Sequence, residues 1–497
     1  MRTGMSTAGL ALLAGLIFPL GLSPLDFWPA IPVSAGALYA ILNRDGLLTS
    51  WRIGLAYGIG FFGAGVSWVY VSVHVYGATP VWLAVLLTAI FCGGLALIFS
   101  LQSHLYARFA GNQPDWRIVQ FSSLWVLMEW LRTFLLTGFP WAFAGYGVLD
   151  SPLSGWIPVL GIYGCSWLLV GLGCLGAEIL SGRHTRAFLL RAGAITTLAF
   201  VAAFGWQRVV WTQPTGEPLS VSAVQPNIPL AEKWDPRKRP QILADFDALS
   251  EQLYAESDLI VWPESALPGY RDQLQSTLQR VNESAKSLGK AVITGIPTRD
   301  HMGRYNSVAV LGAGQGTYHK QKLVPFGEYV PLEGMLRGLN SFFDLPMSSF
   351  SLGSTGQSLL TVKGQPIATA ICYEIAYPDL VAESAADASM ILTVSNDAWF
   401  GRSIAPQQHM QMARMRALEN SKPMLRGTNN GITALVDYRG VIYQQLEQFT
   451  AGELSGSLQP RVGQTVFSRW GSWPTVVFSI FICICLIVRR RKQDTQA

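Results

Sequence analysis

Apolar positions are laid out along this chain in two different ways. Over the first 212 residues they come in long runs, near 5–22, 27–42, 53–73, 81–101, 118–137, 156–180 and 187–211. Each approaches the ~20 residues that an α-helix needs to cross a bilayer. The second run is short and contains Pro29 and Pro32. A last run, TVVFSIFICICLIV, occupies 475–488. The pattern predicts seven spans in 1–212, a large extramembrane domain at 217–460, a closing span at 474–488 and a tail at 489–497.

Between the two apolar regions the period shortens and alternates. LSVSAVQPN (219–227), DLIVWPES (258–265), KAVITGIPT (290–298), QPIATAICYE (365–374), ASMILTVSNDAWF (388–400) and NNGITALVDYRGVI (429–442) read as strands. DLIVWPES is a short, continuous apolar run of the buried-strand kind, cut by Pro263. NSVAVLGA and QGTYHK predict a hairpin around GAGQG. Helical spacing appears at 239–257, at 275–289 with Gly289 as its stop, and at 409–421. The Met410, Met412 and Met415 stripe of the last reads as core. Strands alternating with helices predict a layered α/β domain.

Composition supports this division. Half the residues are hydrophobic and only 13% are charged, against roughly 25% in ordinary soluble chains. The net charge of +5 matters less than its placement. Arg2, Arg44, Arg52, Arg108, Arg117, Arg183, Arg186 and Arg191 fall in one set of connections, and RRRK follows the last span. The alternate connections, near 22–27, 74–80 and 138–155, hold no Lys or Arg. By the positive-inside rule both termini are expected in the cytoplasm and the large domain in the periplasm of a bacterium. Residues 1–22 are read as an uncleaved first span. Glu129 and Arg132, three apart inside a predicted span, are expected to pair.

Of the six cysteines, only Cys372 falls in 217–460, so no structural disulfide is available to that domain. Its histidines, His301, His319 and His409, are too scattered for a metal site. No nucleotide-binding glycine pattern and no nucleic-acid-binding signature appear. Three reactive side chains stand at or just past strand-like runs: Glu264 in VWPES, Lys320 in TYHKQKL and Cys372 in AICYE. Each has an ordinary alternative, as a helix-capping acid, a solvated hairpin lysine and a buried thiol. Together they form a chemical set. The carboxylate takes the thiol proton, the thiolate attacks a carbonyl carbon, and the ammonium stabilises the resulting oxyanion. Lys322 rivals Lys320, because alternate strand residues share a face.

VQPNIPLAEKW, VWPES, YHKQKLVPFGEYVPLE, ICYE, SNDAWFG and RGTNNGITA, with EWLR and TGFPW in the apolar region, resemble the membrane-bound apolipoprotein N-acyltransferase branch of the nitrilase superfamily. The resemblance implies an αββα sandwich beside a multi-pass helical membrane domain. It implies Glu264 as base, Lys320 as oxyanion partner and Cys372 as nucleophile. Glu328, Tyr373, Glu374, Trp234 and Asn306 match supporting positions. No cofactor is implied. The implied donor is a phospholipid, typically phosphatidylethanolamine, and the implied acceptor is the α-amino group of a diacylglyceryl-cysteine on an apolipoprotein. A membrane-tethered amidase with the same three side chains is the alternative. Residues 331–350 and 399–408 are expected to form mobile substrate gates.

Overall fold

The computed structural model describes residues 6–111, 113–182, 184–325, 327–329 and 350–496, the side chains of 490–496 excepted. The expected gate at 331–350 therefore lies outside the described residues, apart from Phe350. The chain divides into two compact units. One comprises Met1–Val209, Ser403–Gln411 and Trp470–Ala497; the other comprises Val210–Arg402 and Met412–Arg469.

The first unit is helical wherever the sequence runs apolar. Its main helices are Thr7–Ile17, Ala30–Leu42, Leu47–Gly65, Val81–Phe109, Pro114–Leu131, Ile157–Leu180, Arg186–Trp206 and Trp473–Gln496. Among the described residues, Val81–Phe109, Ser154–Leu180 and Arg186–Trp206 are long and apolar enough to cross a membrane. Leu47–Gly65 and Val69–Tyr76, bent by 60° at a short break, make a fourth if counted as one span. The run at 118–137 departs from expectation. Its helix stops at Leu131, and Leu136 and Thr137 take positive φ in the turns beyond. Glycines let some helix backbones of this unit approach closely. A Cβ on Gly60 would sit 2.2 Å from the Leu12 carbonyl oxygen, and one on Gly15 would sit 2.1 Å from that of Tyr57. Close backbone approach of this kind drives association where lipid removes the hydrophobic drive.

Glu129 and Arg132 are both buried, but at 4.0 Å their ion pair is long. Their stronger bonds go to the loop that follows. Glu129 accepts from the Ala144 N–H at 2.7 Å, and Arg132 donates to the Trp141 carbonyl at 2.9 Å. The segment 399–408 also differs from expectation. A helix, Ala405–Asn420, already begins within it, and Gln408 is buried. The Gln408 amide oxygen accepts from the indoles of Trp68 at 3.2 Å and Trp141 at 2.7 Å.

Among the described residues, the two main sheets of the second unit use thirteen strands: β1 (Leu219–Gln225), β2 (Leu259–Val261), β3 (Ala291–Gly295), β4 (Ser307–Gly312), β5 (Gly314–Gln315), β6 (Thr317–His319), β7 (Leu360–Val362), β8 (Gln365–Ile371), β9 (Met390–Ser395), β10 (Met424–Thr428), β11 (Ala434–Val436), β12 (Ile442–Gln445) and β13 (Gly452–Leu458). They form a six-stranded sheet in the order β13-β1-β2-β3-β4-β6 and a seven-stranded sheet in the order β12-β11-β10-β9-β8-β7-β5. The centres of both sheets, β1-β2-β3 and β8-β9-β10, are parallel. The predicted hairpin forms between β4 and β6, but β5 inside its loop pairs with β7 of the other sheet.

Alternation of side chains across the pleat explains the layering. Leu259 and Val261 enter the core between the sheets, whereas Ile260 and Trp262 face the core under the helices Arg239–Leu253 and Gln275–Ser287. Val308 and Val310 divide from Ala309 and Leu311 in the same way. Both faces are buried, so these strands read as continuous apolar runs. Helices outside and two sheets inside make an αββα sandwich.

Candidate active site

Parallel strands bring their carboxyl ends to one edge, where open α/β sheets place reactive groups. Cys372 follows β8 directly. Its φ of +52° puts a non-glycine residue in the left-handed region, as the strand turns sharply into a short 3-10 helix, Cys372–Ala376. Such strain persists only where surrounding bonds over-determine it. Here those bonds come from Glu374, which is fully buried. One carboxylate oxygen accepts from the Ile371 N–H at 2.7 Å, and the other from Gln321 and Lys322 N–H at 2.5 and 3.1 Å. The Tyr318 hydroxyl lies 3.1 Å from both oxygens. Glu374 thus ties the cysteine turn to the lysine-bearing loop. Burial pushes its carboxyl up to about 7, against the backbone donors and Lys320.

Glu264 lies past the end of β2, beside the cramped Ser265, whose φ is +45°. Its Oε1 accepts from Asn306 Nδ2 at 2.7 Å and Lys320 Nζ at 3.2 Å. Its Oε2 accepts from the Asn396 N–H, just beyond β9, at 2.9 Å. Lys320 also reaches Glu328 Oε2 at 2.9 Å, and Asn306 donates to Glu328 Oε1 at 2.7 Å. Glu328 is anchored in turn by the Val324 N–H at 2.8 Å. Glu264, Lys320, Asn306 and Glu328 are all buried and form one network.

Lys320 and Lys322 separate here. The strand ends at His319, so strand alternation does not reach either lysine. Lys320 is 1% exposed. Lys322 is exposed, with its ammonium over the Tyr377 ring at 5.3 Å. Tyr373 is buried edge-on to Tyr377. Trp234 lies partly exposed after the short helix Leu230–Lys233, and its neighbour Lys233 is the residue that enters the site. Lys233 is 1% exposed and donates to the Glu264 carbonyl oxygen at 3.1 Å. Sequence reasoning passed over it because a four-residue helix is too short to show a period. It also passed over the fully buried Asp397–Arg426 pair, at 2.9 Å, and Ser395, whose hydroxyl donates to Asp397 at 2.6 Å.

The charges set one another. Burial pushes the Glu264 carboxyl up, but Lys320, Asn306 and Lys233 outweigh it and hold it below its usual value. Burial also works against a charged Lys320, yet Glu264, Glu328 and Cys372 prevail and raise its proton affinity. Burial and then Glu264 push the Cys372 thiol up, against the pull of Lys320. The resting site therefore holds a carboxylate, an ammonium and a protonated thiol.

Two family models match the chain: the apolipoprotein N-acyltransferase N-terminal domain over residues 14–175, and carbon-nitrogen hydrolase over 220–466. Apolipoprotein N-acyltransferase of Pseudomonas syringae pv. tomato is 44% identical, with 98% of this chain and 96% of that protein covered. The chain belongs to the apolipoprotein N-acyltransferase family. The Coxiella burnetii member is 38% identical, over 96% of this chain and 99% of its own length. Among solved structures, a CN-hydrolase superfamily protein from Xanthomonas campestris with an arsenic adduct in its active site is 18% identical. It covers 49% of this chain and 91% of its own, with a TM-score of 0.38. The family's two matched regions fall on the helical unit and on the sandwich.

Proposed function

We propose that this chain transfers a fatty acyl group from a phospholipid, through a thioester on Cys372, to the α-amino group of an apolipoprotein's N-terminal diacylglyceryl-cysteine. The observation that carries this reading is the buried network joining Glu264, Lys320, Asn306 and Glu328 beside a strained cysteine. It lies on a chain whose relatives, matched over nearly their whole length, are named for lipoprotein N-acylation.

Glu264 takes the thiol proton as Sγ bonds to the ester carbonyl carbon of the lipid. The oxyanion that forms is held by the Lys320 ammonium. The carbon–oxygen bond to glycerol breaks, and Glu264 returns the proton to that oxygen, releasing lysophospholipid. In the second half the free amine attacks the thioester carbonyl and gives Glu264 a proton. The carbon–sulfur bond breaks, and the proton goes back to sulfur. Glu328 and Asn306 keep Lys320 and Glu264 aligned through both halves. Phosphatidylethanolamine is the donor in this reading.

Seven spans precede the catalytic unit and one follows it, in a bacterial inner membrane. Sorting of arginine among the short connections supports cytoplasmic termini and a periplasmic catalytic unit. A membrane-tethered amidase would use the same side chains with water as acceptor, but the full-length relatives favour the transferase.

Mass spectrometry of protein purified from membranes tests this. A fatty acyl adduct on Cys372 is expected, discharged by a peptide bearing an N-terminal diacylglyceryl-cysteine to give triacylated peptide. An adduct that never forms, or that discharges to free fatty acid whether or not the peptide is present, overturns it.

A further inference from the structure

Lys233 stands out as a buried charge that the two half-reactions leave unused. Its ammonium carries three protons, and among the described residues its one hydrogen-bond partner is the Glu264 carbonyl oxygen, at 3.1 Å. Taking a lysine out of water with so little compensation costs stability. A methionine of similar volume would fill the same space without that cost. The fold nevertheless takes trouble to hold the segment. The Asn429 amide nitrogen donates to the Ile228 carbonyl at 2.8 Å, its amide oxygen accepts from the Ile228 N–H at 3.2 Å, and the Asn227 N–H donates to the Asn429 carbonyl at 2.8 Å. These bonds set the start of the short helix that delivers Lys233.

The contact falls at a sensitive place. Glu264 is followed by Ser265 at positive φ, so the orientation of the carboxylate depends on how this turn is held. The charged and titratable groups facing Glu264 are Lys233 from the helix Leu230–Lys233, Lys320 from the loop after β6 and Cys372 from the end of β8. Glu328 acts through Lys320. Asp397 bears on Cys372 and is paired with Arg426.

We propose that Lys233 is a positioning residue for the base: its ammonium pins the backbone of the Glu264 turn and adds a second positive charge beside the carboxylate. Lys320 alone is shared between Glu264 and Glu328. Lys233 adds its charge to that of Lys320 in keeping Glu264 ionised until the thiol gives up its proton. This inference rests on the acyl-transfer reading of the same site.

The test is single-turnover acylation of Cys372 by phosphatidylethanolamine in detergent micelles, followed by intact-protein mass spectrometry across pH 4 to 8. The full-length protein is compared with K233M, K233R, E264Q and C372A. An opposite charge close to a carboxylate depresses its proton affinity by about one to three pH units. K233M is therefore expected to shift the acid limb of the rate profile upward by about one pH unit and to slow acylation. K233R, which restores charge and donors, is expected to bring the limb back toward the parent. The melting temperature of K233M is expected to equal or exceed that of the parent, which a merely structural lysine would not allow. A K233M profile that overlays the parent overturns the proposal. So does a variant that loses rate and melting temperature together with its limb unmoved. Acylation of C372A or E264Q at the parent rate would instead sink the acyl-transfer reading itself, whatever K233M does.

Discussion

The Tyr318 hydroxyl lies 3.1 Å from both carboxylate oxygens of Glu374, bridging β6 of one sheet to the turn after β8 of the other. The bridge holds the loop of Lys320 against the turn of Cys372, so two half-sites on different sheets keep one geometry. Glu374→Gln would turn an amide NH2 toward backbone donors that now meet an acceptor. Each donor left unpaired costs about 1–3 kcal/mol. Tyr318→Phe leaves three backbone bonds in place and should cost about 1 kcal/mol. We expect E374Q to lose both thermal stability and Cys372 acylation, and Y318F to lose less of each. Equal effects of the two variants would show that the Tyr318 contact, and not the three backbone bonds to the carboxylate, fixes the turn.

Lys320 and Lys322 give the sharpest contrast between neighbours. Removing Lys320 leaves two buried carboxylates facing each other, and breaking a buried pair costs about 3–5 kcal/mol. In the proposed reaction it also takes away the oxyanion partner, for which losses of roughly 100- to 1,000-fold are usual. Lys320→Met is expected to show both effects in chemical denaturation and in thioester yield. Lys322→Met removes an exposed cation from the face of Tyr377 and should stay within about 0.5 kcal/mol of the parent. Wild-type thioester yield from K320M would remove the lysine from the reaction.

The contrast also shows what was legible in the sequence. Apolar runs mark helices and buried strands because both are set by local periodicity, and β1, β2, β3, β8 and β9 fall where they are expected. Glu264, Cys372 and Lys320 were visible as polar groups at strand ends. The choice of Lys320 over Lys322 came only from the resemblance, because the backbone leaves the strand at His319 and side-chain alternation stops there. β10 and β13 were missed. The first is broken in pattern by Arg426 and Gly427, and the second is Gly- and Ser-rich with part of its face exposed. The bonds of Glu374 and Lys233 join residues far apart in sequence, and no local pattern encodes such partners.

The same charges predict how stability follows pH. Glu264 binds its proton less tightly in the fold than in the unfolded chain, where the value is about 4.3. Its contribution is therefore complete above that value and is lost as the pH falls through the folded one. Lys320 is raised, so its contribution is complete below the unfolded value and is lost only at pH above it. Lys233 has the opposite sign, because burial lowers it from 10.5 to about 8. Its cost is full below pH 8 and is relieved as the pH rises toward 10.5, by about 3 kcal/mol. Guanidinium midpoints of the detergent-solubilised chain should fall below pH ~4 and gain a component between pH 8 and 10.5. E264Q should flatten the acid arm, and K233M should remove the alkaline gain. An alkaline gain that survives K233M would assign it to another group.

In the helical unit, some helix pairs meet through close backbone approach. Gly60 and Gly63 lie one turn apart on the helix Leu47–Gly65, yet their surroundings differ. A Cβ on Gly60 would meet the Leu12 carbonyl oxygen at 2.2 Å, and backbone cannot swing aside as a flexible side chain can. A Cβ on Gly63 would meet nothing within 4 Å. Replacing glycine by alanine inside a helix is worth about 0.5–1 kcal/mol when nothing obstructs it. We expect Gly63→Ala to hold or raise the melting temperature in detergent. Gly60→Ala is expected to lower it by several degrees, because the helix Thr7–Ile17 must move away, and Gly60→Val should lower it further. A Gly60→Ala variant as stable as Gly63→Ala would show that this contact is loose and that packing of small residues does not hold these two helices together.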